Sequence, residues 1–320
     1  MNDFNAALSL SSPPFSDAEK IVEFHRVSKA YGAKRVLEGV SFSIERGSVF
    51  ALLGENGVGK TTAIKLLLGE IAATHGTATV FGLDARRDAL TIRRRVGYVP
   101  EVPALYERMT VAEMGRFAAA FYENDYWGEY SRLIAEYEID LNAKISKLSK
   151  GLKALVSFSV ALACQPDLLI LDEPTSGLDA LARRRILETL ADFAASGGTA
   201  LIASHQMAEV ERVADRVAML RDERLWLDEP LLELKERTRV VTATVRNLSP
   251  EERNRLFNGV FATVLKTDVW GDQIRVVGRR PAPDLESEIR AKLGDRLLAL
   301  ETSTPSLEEI FVAAMTQPLK

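Results

Sequence analysis

The chain has 320 residues, a formal net charge of −4, 47% hydrophobic and 27% charged residues, and one cysteine. That is enough chain for more than one folded core, with the balance of an ordinary globular protein. The charge argues against nucleic acid as the main partner. A single cysteine excludes an intramolecular disulfide and suits a reducing cytosol. No stretch approaches the roughly 18–20 apolar residues that span a bilayer as a helix.

Residues 1–20 contain Ser11-Ser12-Pro13-Pro14 and lack both a basic start and a long apolar run. They read as a flexible tail rather than a secretory signal. From Ile21 to Arg46 short apolar and polar runs alternate, which predicts an antiparallel hairpin. Val49-Phe50-Ala51-Leu52-Leu53 then reads as a buried strand, and Thr62 to Leu68 has apolar positions at helical spacing. Between them lies Gly54-Glu55-Asn56-Gly57-Val58-Gly59-Lys60-Thr61. Strand, glycine-rich turn, Lys-Thr and helix is a phosphate-binding loop; a plain turn that starts a helix is the lesser alternative. Gly54, Asn56, Gly57, Gly59 and Thr62 would bring backbone N–H groups around an anion at the positive end of the helix. Lys60 would reach the β- and γ-phosphates, and the Thr61 hydroxyl would take one position on Mg²⁺.

Four more strands are predicted at Thr77–Phe81, Val96–Val99, Leu168–Leu171 and Ala200–Ala203, most of them separated by helical stretches. That alternation predicts a parallel α/β sheet. From Val111 to Tyr137 the pattern is purely helical, a small insertion whose aromatics read as core. Cys164 sits in an apolar stretch and reads as packed rather than reactive. The basic clusters at Arg86-Arg87, Arg93–Arg95 and Arg183–Arg185 read as solvated helix faces.

After Arg237 the composition changes. Strands are predicted at Val240–Val245, Phe261–Lys266, Gln273–Val277 and Leu297–Glu301, helices at Pro250–Phe257 and Asp284–Leu293, and a turn at Gly271-Asp272. This β-α-β-β-α-β order predicts a ferredoxin-like unit, followed by a last helix at Leu307–Met315.

The segment Leu168–Pro174 is an apolar strand ending in two acids. Asp172 is placed to hold Mg²⁺, and Glu173 to act as general base on a water attacking the γ-phosphate. At this point the order of motifs resembles the ATP-binding subunits of ABC transporters over roughly residues 21–236. The resemblance implies that Tyr31, in Ser28-Lys29-Ala30-Tyr31-Gly32, stacks on adenine. It implies that Leu148-Ser149-Lys150-Gly151-Leu152 is the signature motif, with Ser149 and Gly151 binding the γ-phosphate held by an opposite subunit. The usual pattern there is Leu-Ser-Gly-Gly-Gln, so Lys150 and Leu152 depart from it. Asp179, in Ser176-Gly177-Leu178-Asp179, matches the anchor of a loop that crosses the dimer interface. His205 matches the residue that contacts γ-phosphate, and Glu101 stands where the family has a Gln that touches Mg²⁺ and senses the membrane partner. As a metal ligand, Glu101 would gather three carboxylates, with Asp172 and Glu173, about one ion. His25 and His75 match no motif.

The resemblance thus implies a P-loop NTPase of α/β class with an antiparallel β subdomain, a helical insertion at about 105–150, and a C-terminal α+β appendage. The expected domains are 1–20, a tail; 21–236, the nucleotide-binding domain; and 237–320, an accessory domain. The variant signature, Glu101 and the appendage narrow the resemblance to ATPases of ABC-2 type exporters. Such a subunit would use ATP and Mg²⁺, dimerise with itself or a homologue, and drive a separate permease from the cytoplasmic face of the inner membrane. The rival expectation is a soluble ABC-type ATPase acting on ribosomes or DNA. Against it stand a lone phosphate loop and the absence of sustained heptads. A nucleotide sensor without turnover would lack Glu173 or His205.

Overall fold

The predicted hairpin forms from β1 (Lys20–Tyr31) and β2 (Lys34–Glu45), paired antiparallel. The computed structural model that contains it describes residues 19–246, 249, 252, 264–279 and 285–315. The chain divides into two compact units: Met1–Ser48 with Gly57–Leu201 and Asp222–Arg224, and Val49–Asn56 with Ile202–Arg221 and Leu225–Lys320. Here β3 (Val49–Leu53) belongs to the second unit, and α1 (Lys60–Leu67) to the first.

In the first unit the hairpin is extended by β4 (His75–Val80) and β5 (Leu83–Asp84) into a sheet of order β2-β1-β4-β5. Its apolar side is buried in period two, with Phe24 stacked on Phe42 at 4.6 Å between ring centres. After α2 (Ala89–Arg93), β6 (Val96–Val99) runs parallel to β7 (Leu168–Asp172), with Val96 opposite Leu168 and Val99 opposite Leu171. Every residue of β7 is buried. A strand covered on both faces reads as a continuous apolar run, which is why the acids at its end stand out.

The insertion consists of two helices, α3 (Val111–Ala119) and α4 (Tyr126–Glu136). Thr110 and Glu113 form a capping box that starts α3, and Asp125 caps α4 through the Gly128 N–H. Tyr126 and Tyr130 are buried, and their hydroxyls donate to the carbonyls of Val160 and Val111 at 2.8 and 2.9 Å. Those rings are core, as read from the sequence. Phe117 and Phe121 are not: both are exposed, as is Tyr106 ahead of α3. The helical period marked them as apolar but not which face finds a neighbour. From the insertion the chain enters α5 (Lys150–Leu162), β7 and α6 (Ala180–Ala195). Adding a Cβ to Gly97 of β6 would bring it 2.3 Å from the Ala161 carbonyl oxygen, so the sheet meets α5 backbone to backbone. Cys164 is buried, which pushes its thiol up to about 11.

The strand β8 (Ala200–Ser204) leads into α7 (Met207–Val210) of the second unit, then β9 (Arg216–Arg221) and β10 (Arg224–Pro230). β3 runs parallel to β9, and the Val49 N–H donates to Asp215 Oδ2 at 2.8 Å. After α8 (Leu231–Arg237) come β11 (Thr238–Val245), β12 (Val264–Trp270), β13 (Gln273–Arg279), α9 (Leu285–Leu293), β14 (Leu297–Ser303) and α10 (Leu307–Met315). The sheet order is β12-β13-β11-β14, all antiparallel. The first and third strands are central, the arrangement of the split β-α-β fold. Ile289 and Leu293 of α9 pack with Val241, Ala243, Val245, Ile274 and Val276, while Ala313 of α10 packs with Val240 and Val277. Of the helix expected at Pro250–Phe257 only Glu252 is described, and it is helical; the rest of it and the start of the strand expected at Phe261 lie outside the described residues. β12 instead runs on past Lys266 to Trp270, where Gly271-Asp272 turns the chain as expected.

Candidate functional site

Gly59 precedes α1 with φ of 119°, and a Cβ there would lie 2.8 Å from Leu37 Cδ2 and 2.9 Å from the Val36 carbonyl oxygen. Only glycine fits that backbone and that space. Gly57 is also in the left-handed region, at φ 81°. The turn therefore delivers Lys60 and Thr61 as the first residues of α1, where N–H groups lack intrahelical partners. Gly54 is buried, Asn56 and Thr61 are exposed, and Thr62 is half-buried.

Lys60 and Glu173 are nearly enclosed, at 5% and 6% exposure, and Lys60 Nζ lies 3.0 Å from Glu173 Oε1. Glu173 holds φ of 49° directly after β7, an uncommon conformation for glutamate that costs about 1 kcal/mol. Backbone strain of that kind tends to collect at functional positions. Asp172, one residue earlier, is 2% exposed. Burial pushes its carboxyl above the usual range; the Thr61 hydroxyl opposes this by hydrogen bonding, while the charges of Glu173 and Glu101 add to it. Asp172 Oδ1 has no hydrogen-bond partner among the described residues.

An enclosed carboxylate oxygen with no donor, beside a hydroxyl and near two further acids, is the environment a hard divalent cation relieves. The residues fit Mg²⁺, with Thr61 and Asp172 as its holders. Among the described residues no three His, Cys, Asp or Glu side chains gather closely enough to hold a metal. The three-carboxylate cluster with Glu101 is therefore not formed. Glu101 is exposed at the end of β6 and reaches Asp172 only through its field. That donor set is normal for Mg²⁺, which takes one or two carboxylates and completes its shell with water and substrate phosphates. When bound, the ion neutralises phosphate charge and polarises the phosphoryl oxygens.

Tyr31 is about half exposed, with the Lys29 ammonium 4.8 Å over its ring, a contact absent from the sequence reading. Ser149 caps α5, its Oγ accepting from the Leu152 N–H at 3.2 Å. Asp179 caps α6, Oδ1 accepting from the Leu181 and Ala182 N–H groups at 3.1 and 2.9 Å. The two helix starts touch: a Cβ on Gly151 would stand 2.8 Å from Asp179 Oδ2, and one on Gly177 2.4 Å from Lys150 Nζ. His205 follows β8 in the second unit and is exposed.

A lysine and threonine opening a helix, set against two enclosed carboxylates at a strand end, define a nucleoside-triphosphate-hydrolysing P-loop protein. A family model described as ABC transporter matches residues 37–176. The chain is 39% identical over 224 residues to Nod factor export ATP-binding protein I of Paraburkholderia xenovorans (strain LB400), covering 64% of this chain and 69% of that one. It is 34% identical over 252 residues to the ABC transporter ATP-binding protein YtrB of Bacillus subtilis (strain 168), covering 77% and 86%. A solved ATP-binding subunit of an ABC transporter superposes with a TM-score of 0.63 at 33% identity, over 68% of this chain and 92% of that one. The chain belongs to the ATP-binding proteins of ABC transporters, in an exporter-type family. It is an ATPase that uses ATP with Mg²⁺.

The Lys60–Glu173 pair sets one enclosed charge against another. The ammonium that would meet phosphate instead neutralises a carboxylate. A triphosphate would offer Lys60 a more highly charged partner than a single carboxylate. Neither residue's local sequence announces this pairing.

Proposed function

We propose that this chain is the ATP-hydrolysing subunit that dimerises around two ATP molecules and powers export through a separate ABC-2 type permease. In this reading Gly54, Asn56, Gly57, Gly59, Lys60, Thr61 and Thr62 cradle the phosphates and Tyr31 stacks on adenine. Asp172 and Thr61 hold Mg²⁺, with Glu101 bordering the metal and the permease. Glu173 is the base, and His205 contacts the γ-phosphate. Ser149 and Gly151 act on the ATP of the opposite subunit, beside the Asp179 loop. Residues 21–236 serve as the nucleotide-binding domain and 237–320 as an accessory domain. The protein works on the cytoplasmic face of the inner membrane, held there by the permease.

The observation that supports a membrane partner most directly is an aromatic surface at the insertion. Phe121 is 68% exposed, Phe117 stacks edge-on against it and against Tyr106, and Val102 stands exposed beside Glu101. Single exposed apolar residues are ordinary, but three rings linked through Phe117 make a surface suited to a partner. No helix of the described residues is long and apolar enough to cross a membrane.

The test is affinity purification of the full chain from gently solubilised membranes, with Phe117→Ser and Phe121→Ser as a paired variant. A helical membrane protein should copurify with the parent chain, alter its ATPase rate, and be lost from the double variant. Exclusive recovery with ribosomes or DNA would establish the rival role instead.

A further inference from the structure

The segment after β8 is tied at its far end to the C-terminal helix. His205 is followed by Gln206, whose N–H donates to Ser204 Oγ at 2.9 Å, then by the single turn of α7. Met207 and Val210 bury that turn, and α10 packs against it. Glu211 ends the turn. One of its carboxylate oxygens accepts from Lys235 Nζ of α8 at 2.5 Å, and the other from the Leu307 N–H of α10 at 2.9 Å.

That second bond fills a specific need. The first N–H groups of a helix have no intrahelical partner. Ser306 and Glu309 close a capping box at the head of α10, with Ser306 N–H donating to Glu309 Oε2 at 2.8 Å and Glu309 N–H to Ser306 Oγ at 3.2 Å. The box leaves Leu307 N–H unserved, and Glu211 supplies its acceptor with a full negative charge at the positive helix end. α10 itself is held fast: Leu307, Ile310 and Ala313 are fully buried, and Glu309 pairs with Arg275 of β13. Glu211 thus joins three elements, of which two lie in the C-terminal part of the chain and the third begins just beyond His205.

We infer that Glu211 is a positioning residue through which the C-terminal helix holds the His205 segment and so sets the turnover of the ATPase. The inference rests on the proposed contact of His205 with the γ-phosphate. A histidine acting on a transferring phosphoryl group must be placed closely, since a displacement of about 1 Å can cost up to roughly 10²-fold in rate. The Glu211 carboxylate fixes the end of a short turn that begins two residues after that histidine.

The experiment compares the full chain with Glu211→Ala, Glu211→Gln, His205→Ala and the His205→Ala/Glu211→Ala double variant, measuring kcat, KM, ATP affinity by calorimetry and Tm. Glu211→Ala should lower kcat about tenfold with ATP affinity unchanged, within the misplacement penalty above. Glu211→Gln keeps an acceptor for the Leu307 N–H and should recover most of the rate. The double variant should be no slower than His205→Ala alone, because both changes remove one function. A Glu211→Ala protein that is less thermostable but turns over at the parent rate would reduce Glu211 to a structural cap. Multiplicative losses in the double variant would show that Glu211 acts elsewhere than through His205. Full turnover in His205→Ala would overturn the reading of His205 itself, whatever Glu211 does.

Discussion

The phosphate-loop end of the first unit and the C-terminal sheet of the second both bury strands, yet they treat charge in opposite ways. Around β11 and β13 the enclosed cluster is wholly aliphatic, Val241, Ala243, Val245, Ile274, Val276, Ile289 and Leu293. Its ion pairs, such as Lys266–Asp268 and Arg275–Glu309, keep side chains in partial contact with water. At the end of β7, by contrast, Lys60, Asp172 and Glu173 are all enclosed, Glu173 has a strained backbone, and Asp172 keeps an oxygen without a donor. Removing charges from water is expensive, and a buried pair seldom repays it in stability. The aliphatic sheet avoids that expense, whereas the end of β7 carries it.

This contrast breaks if charge changes at β7 behave like ordinary core mutations. The largest effect should come from Lys60→Ala. It withdraws the cation from both the phosphates and Glu173, so ATP binding and hydrolysis should fall below detection. Unchanged ATP affinity by calorimetry would remove the phosphate loop from the site. Next, Glu173→Gln should lower kcat by about 10²–10⁴-fold, the usual contribution of a general base, with ATP still bound. Light scattering should then show an ATP-trapped dimer that Ser149→Arg abolishes; a persistent monomer at high protein concentration would exclude the two-ATP sandwich for two copies of this chain.

Asp172→Asn sharpens the comparison because its two effects have opposite signs. Burial and two neighbouring acids raise the folded-state pKa of Asp172, so its ionised form destabilises the folded chain above that pKa. That penalty fades as pH falls through the folded value and vanishes below the unfolded one. At neutral pH without nucleotide the variant should therefore melt higher, by about 2–4 °C for each kcal/mol of relief, while losing Mg²⁺-dependent hydrolysis. A lower Tm would mean that Asp172 is a net stabiliser. The smallest effect on function should come from Ile289→Val on α9, a loss of about 0.5–1.5 kcal/mol in stability with kcat unchanged. A fall in kcat would show that the aliphatic side of the appendage sheet also reports to the ATPase.

Much of this was legible because it is local. Glycines before Lys60-Thr61, an apolar run before Asp172-Glu173, and alternation across the first hairpin each carry their meaning within a few residues. The strands β9 and β10 are absent from the sequence reading. Asp222 and Glu223, both at positive φ, join the apolar run Val217–Leu220 to a second short run, the backbone of a tight hairpin turn. In the appendage the alternation of strand and helix predicts a ferredoxin-like unit, and the structure adds the spatial order β12-β13-β11-β14 with the first and third strands central.

By itself, then, the sequence determined the element types, the phosphate loop and the acidic strand end, because dihedral preferences and hydrophobic period act between near neighbours. Only the tertiary structure decided that Lys60 rests on Glu173, that Phe117 and Phe121 face solvent while Tyr126 and Tyr130 face the core, and that Glu211 caps α10. Each of these depends on which distant side chain occupies the facing space. Periodicity marks a face as apolar or a residue as charged, but burial, ion pairing and capping belong to pairs of groups that the chain brings together only when it folds.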